Sequence, residues 1–183
     1  MPASCLIRYY TGASPGSASS DITGTTIRYK QADNATLDTF FPLALPATGQ
    51  TFSWRKSTKV NFTTTPVTSI VNLRWFMSQT PTSGINFYAR VQATGVYVQA
   101  NSGDINGITG FTDTSGNQTT NNASNYTASA PLTVNSGTVL SNPNTGEGTQ
   151  VFVETQMSVG TGYAAGPGVI PTPVQFTYRY TES

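Results

Sequence analysis

Residues 150–159 alternate with a period of two: Val151, Val153, Thr155, Met157 and Val159 fall on one side, and Phe152, Glu154, Gln156 and Ser158 on the other. Residues 69–78 repeat the pattern, with Val71, Leu73, Trp75 and Met77 set against Ile70, Asn72, Arg74 and Phe76. In residues 174–181, Val174, Phe176, Tyr178 and Tyr180 are expected to point inward and Gln175, Thr177, Arg179 and Thr181 outward. Successive side chains take opposite faces only in an extended chain, so this spacing predicts strands. The run at 69–78 is apolar on one face and half-apolar on the other, which marks a central or covered strand. Further strands are predicted over 22–30 (Ile27, Tyr29), within 51–65 (Val60, Phe62), over 86–92 (Phe87, Ala89, Val91), and around Val134 and Val139. Pro81, Ser83 and Gly84 form one turn, and Asn142-Pro143-Asn144-Thr145-Gly146 another. Only residues 31–41 have helical spacing, with Asp33 or Asn34 as cap, Leu37, Phe40 and Phe41 as apolar positions, and Pro42 as terminator. About eight strands with almost no helix predict an all-β chain, an antiparallel β-sandwich of jelly-roll or immunoglobulin-like type.

A chain of 183 residues suits one domain. Residues 1–20 read as an N-terminal arm and flexible linker, because Gly12, Pro15, Gly16 and several serines follow the short apolar run at 5–10. Such an arm is expected to reach away from the body and dock on a neighbour, so that its deletion leaves the body folded. Residues 21–183 read as a single β-sandwich domain whose long loop, at about 101–126, lacks apolar periodicity. Only 9% of residues are charged and the net charge is +1, so no long-range field draws the chain to nucleic acid or to a membrane. Low charge favours self-association, and a homo-oligomer is expected. The N-terminus has no basic-then-apolar leader, which predicts synthesis in a cytosol without secretion.

The chain has no histidine and one cysteine. Ser-His-Asp and Cys-His catalysis and the usual nitrogen or sulfur metal sites are thereby excluded. With nothing of ordinary pKa titrating between about pH 6 and 8, attachment to a partner is expected to vary little over that range. Cys5 reads as a small, partly buried thiol. A paired-carboxylate glycosidase would need two acids on a rigid scaffold, and Glu154 and Glu182 are the best placed. These acids read instead as solvated groups or as partners for Arg74, Arg90 and Arg179. Asp104, Asn106 and Asp113 carry oxygen ligands suited to calcium, but without the spacing of a calcium loop they read as turn residues. Trp75 reads as core, and Trp54, beside Arg55 and Lys56, is a candidate sugar platform. No enzyme activity, cofactor or metal is expected. Candidate partner contacts are Leu6, Ile7, Tyr9 and Tyr10 in the arm, Phe40, Phe41, Leu43 and Leu45 in an apolar loop, and Ile105, Ile108 and Phe111 in the long loop.

Three segments carry a resemblance: Ser53-Trp54-Arg55-Lys56, Ser69-Ile70-Val71-Asn72-Leu73-Arg74-Trp75-Phe76, and Phe176-Thr177-Tyr178-Arg179-Tyr180-Thr181-Glu182-Ser183. Together they resemble the β-rich decoration or cement proteins of tailed bacteriophage virions, over roughly residues 22–183. The resemblance supplies no active-site residues. It implies copies, often trimers, bound to the outside of the capsid, where they clamp neighbouring major capsid proteins. A tail or head–tail connector subunit and a carbohydrate-binding β-sandwich are the alternative expectations.

Overall fold

The structure, a computed structural model, describes residues 2–13, 18–34, 43–92, 97–106, 123–163 and 174–183. Nine strands occur among them: β1 (Cys5–Thr11), β2 (Ala18–Asp21), β3 (Gln50–Phe52), β4 (Lys56–Phe62), β5 (Ser69–Met77), β6 (Ile85–Val91), β7 (Leu132–Ser141), β8 (Val153–Gly160) and β9 (Phe176–Glu182). Every pairing is antiparallel. The larger sheet has six strands in the order β2-β1-β4-β8-β3, with β6 also paired to β8; the smaller has three in the order β7-β5-β9. One apolar cluster joins them, with Val60, Phe62, Phe87, Ala89 and Val153 from the larger sheet and Ile70, Leu73, Trp75, Val134 and Leu140 from the smaller. The chain is therefore an all-β antiparallel sandwich, as its alternation predicts. Trp75 stacks on Phe176 at 5.3 Å, and Tyr29 meets Phe87 edge-on at 5.2 Å. Burying each such large side chain contributes about 2 kcal/mol.

Two irregularities decide which residues face the core. In β5, Asn72 has φ 55°, a left-handed conformation, and the pairing slips on either side of it. Ile70 and Leu73, three apart, are consequently both fully buried, whereas Val71, expected inside, is only half-buried. The second lies between β3 and β4. Phe52 pairs with Ser158 and Lys56 with Thr155, so four steps on one strand (56 − 52) oppose three on the other (158 − 155). The extra residue is a β-bulge at 53–55, and it reverses the facing of everything after it. Phe52 shares the outer face with Ser158, while Lys56 shares the core-side face with Thr155.

Other expectations are corrected. The supposed arm is an interior strand: β1 pairs with β2 on one edge and β4 on the other. Tyr9 and Tyr10 are 2% and 4% exposed, which leaves neither free to reach a neighbour. Part of the supposed linker is β2, placed where its small residues cap the sheet edge. Residues 25–30 form no ladder, although they alternate; Tyr29 anchors them through its ring in the core and its hydroxyl, 2.7 Å from Thr155 Oγ1. The two short strands near Val134 and Val139 are one strand, β7, with an irregular middle. Of the helical turn read at 31–41, residues 35–41 lie outside the described residues; 31–33 form a bend.

Candidate functional site

Strand β8 has neighbours on both edges, with β6 along one and β4 and β3 sharing the other. Its odd-numbered side chains turn to the core. Glu154, Gln156 and Ser158 turn to the outer face, which alternation alone would leave in solvent, yet all three are fully buried. Ser158 meets Gln50 and the Tyr88 hydroxyl, while beside Glu154 and Gln156 the cover is the segment 97–106, which ends in a 3-10 turn, Ser102–Asn106. Its Tyr97 ring lies 5.3 Å from Phe152, and Asp104 accepts from the bulged Arg55.

The bulge frees Arg55 from the ladder, and its backbone N–H donates 3.1 Å to Asp104 Oδ2 instead. The guanidinium then spans two carboxylates. Nη2 lies 2.9 Å from Asp104 Oδ1 and Nη1 lies 3.3 Å from Glu154 Oε1. Arg90, beside Glu154 on β6, takes the other oxygen, with both Nε and Nη2 2.7 Å from Oε2. Two cations and two anions cancel, the condition under which charge is tolerated out of water. Burial alone would lower the pKa of Arg55, but Asp104 and Glu154 outweigh it and raise it. Gln156 Nε2 fastens the cover by donating 2.8 Å to both the Ser53 and Asp104 carbonyls.

A second buried cation sits on the core side. Lys56 Nζ donates to the Ala32 and Asn34 carbonyls at 2.8 and 2.7 Å and lies 3.5 Å from the Tyr9 hydroxyl. Burial lowers its pKa to about 8, with Asp33 opposing and Lys30 adding to the shift. Asp33 in turn accepts from Gly12 N–H and from Gln99 Nε2, at 2.9 and 3.1 Å, and so links β1 to the cover.

These groups are committed to one another. Both oxygens of Asp104 and of Glu154 accept from arginine. Glu182, the other acid considered for a glycosidase pair, lies in β9 of the opposite sheet, where it accepts from the Ala3 and Val67 N–H groups. Those two bonds lower its pKa. Of the calcium candidates, Asp104 serves Arg55, Asn106 contributes backbone to the 3-10 turn, and Asp113 lies outside the described residues. No group of three or more His, Cys, Asp or Glu able to hold a metal occurs among the described residues. The sequence left Glu154 and Glu182 as solvated groups or as partners for Arg74, Arg90 and Arg179, without choosing among them. Glu154 is buried against Arg90 and also against Arg55, which was not among those arginines because the bulge is invisible in a list of residue types.

The contact residues expected from sequence do not form one surface. Tyr9 and Tyr10 are core, and Leu6 and Ile7 are half-buried within β1. Leu43 packs against the core cluster, whereas Leu45 is 52% exposed. Phe40, Phe41, Ile108 and Phe111 lie outside the described residues, and of Ile105 only the backbone is described. Val67, 62% exposed in the β4–β5 connection, was not foreseen, since a lone valine in a polar loop carries no periodic signal. Trp75 is core and Trp54 half-buried. No helix among the described residues is long and apolar enough to cross a membrane. Comparison with protein-family models, with curated proteins and with solved structures gives no match.

Proposed function

We propose that the chain is a structural virion protein, a capsid decoration or cement protein that binds the outside of a phage head and stabilises contacts between major capsid proteins. The observation that carries this reading is the inward use of its scarce charge. Arg55, Arg90, Asp104 and Glu154 neutralise one another beneath a cover, Lys56 is buried, and Lys59 pairs with Glu147 at 3.1 Å. The surface of the described residues is then rich in Thr, Ser and Asn, with isolated apolar points such as Leu45 and Val67 and a few charges, Arg28 and Arg179 among them. Such a surface suits many weak, shape-dependent contacts, which add strongly when copies are arrayed on a symmetric lattice. The segments resembling decoration proteins support the same reading, with a trimer as the favoured oligomer and the major capsid protein as partner. The test is negative-stain microscopy of phage particles labelled with gold-tagged antibody against the chain. Label over heads is expected; label confined to tails overturns the reading in favour of a tail or connector subunit.

A further inference from the structure

On β5 and β9, Arg74 and Arg179 are direct cross-strand partners. Their neighbour Trp75 is in the core, so both arginines lie on the face of the smaller sheet turned away from the larger one. Phe76 shares that face, paired with Thr177, and the Arg179 guanidinium lies 5.9 Å from its ring centre. Like charges placed directly opposite one another on a sheet destabilise it. The described carboxylates do not relieve this pair. Asp104 and Glu154 serve Arg55 and Arg90, Glu147 serves Lys59, Glu182 holds the Ala3 and Val67 amides, Asp33 holds Gly12, and Asp21 holds Thr23. Arg179 donates from Nη1 to the Ala128 carbonyl at 3.1 Å. Arg74 Nη1 lies beneath the surface without any hydrogen-bond partner, a costly state for a cationic donor, and a carboxylate would reach it as the side chain swings outward.

We infer that this face is a docking site for an acidic segment of a partner protein, with an Asp or Glu carboxylate bridging Arg74 and Arg179 and an adjoining apolar side chain resting on Phe76. Two guanidinium forks match a carboxylate in geometry and charge, and the ring supplies the apolar platform beside it. A nucleic-acid backbone fits less well, because its binding draws on many cations and this face presents two arginines in a chain of net charge +1. The inference goes beyond the proposed function: it holds whatever assembly carries the chain, and its test uses no virions.

The test is fluorescence anisotropy of the full chain with a labelled peptide of alternating glutamate and leucine, at low and at physiological salt. Salt-sensitive binding is expected, and Arg74→Gln or Arg179→Gln should each weaken it about tenfold. Arg8→Gln, which removes the same charge from the outer face of the larger sheet, should leave it unchanged. Equal loss in all three variants, no loss in the first two, or no binding at millimolar peptide overturns the site. Tighter binding of a thymidine oligonucleotide than of the peptide overturns the choice of partner. Arg74→Met should melt no lower than the parent protein; a melting point depressed by more than about 5 °C would assign Arg74 to the fold instead.

Discussion

At the scale of single residues, the chain places its charge against the usual preference. Lys56 and Glu154 are fully buried and Asp104 nearly so. Each is held by partners of opposite charge or by carbonyls, and removing one partner should cost far more than the pair contributes. Asp104→Ala leaves Arg55 with only Glu154, itself shared with Arg90, and strips the acceptor from the Arg55 backbone N–H. It is expected to lower stability by about 3 kcal/mol, read from the urea midpoint. Adding Arg55→Met to Asp104→Ala should recover part of that loss, since an apolar side chain there leaves no unpaired charge. An Asp104→Ala variant as stable as its parent would show the cluster to be marginal. The sequence offered Arg90 as one of three arginines that an acid such as Glu154 could meet, and the choice among them depended on β6 lying beside β8. It did not bring Arg55 and Asp104 together, because one lies in a bulge and the other in a loop without periodicity.

At the scale of elements, β1 is the largest revision. Its short apolar run followed by glycine, proline and serine reads as a detachable arm, yet it fills the gap between β2 and β4 and carries Tyr9 and Tyr10 into the interior. Tyr10 packs edge-on against Phe152 at 5.1 Å, and the Tyr9 hydroxyl lies beside Lys56 Nζ. Deleting residues 1–20 should therefore unfold the body rather than merely weaken a contact, because it exposes the whole edge of β4 and removes two buried tyrosines. Loss of the dispersed amide spectrum is the expected outcome; a folded truncated protein would restore the arm. The strands β5, β8 and β9 were legible because alternation over seven or more residues marks an extended chain even where a bulge, as at Asn72 in β5, shifts which residues face inward. β2 was not, since its four residues, Ala18–Asp21, are too few and too polar to show an apolar alternation.

At the scale of the whole molecule, the interior sets a pH response that composition hides. Without histidine the chain has no side chain of ordinary pKa near neutrality, but burial lowers Lys56 to about 8, at the edge of that range. A base with a lowered folded pKa binds fewer protons folded than unfolded, so stability rises as pH passes from about 8 towards the ordinary lysine value. Acids with raised folded pKa act in the opposite sense. Burial raises Cys5, and it raises Tyr9, Tyr29 and Tyr178 strongly, while Tyr97 is pushed up to about 12. Their stability is complete below their ordinary values and is lost above pH 9 for the thiol and above pH 10 for the tyrosines. Melting temperature is thus expected to climb above pH 8 and to fall beyond pH 10. Lys56→Met should reduce the climb, leaving only the part due to Lys59, whose pKa burial also lowers, and a monotonic decline from pH 7 would contradict the Lys56 environment. What the sequence determined by itself was the β-sandwich and the absence of histidine chemistry, since alternation is a steric property of the extended backbone and composition needs no geometry. What only the tertiary structure decided was which polar residues go inside. Arg55 meets Asp104 and Glu154 across 49 and 99 residues of chain, through a one-residue bulge and a covering segment. Those contacts follow from how distant strands come to lie together, and no local pattern records them.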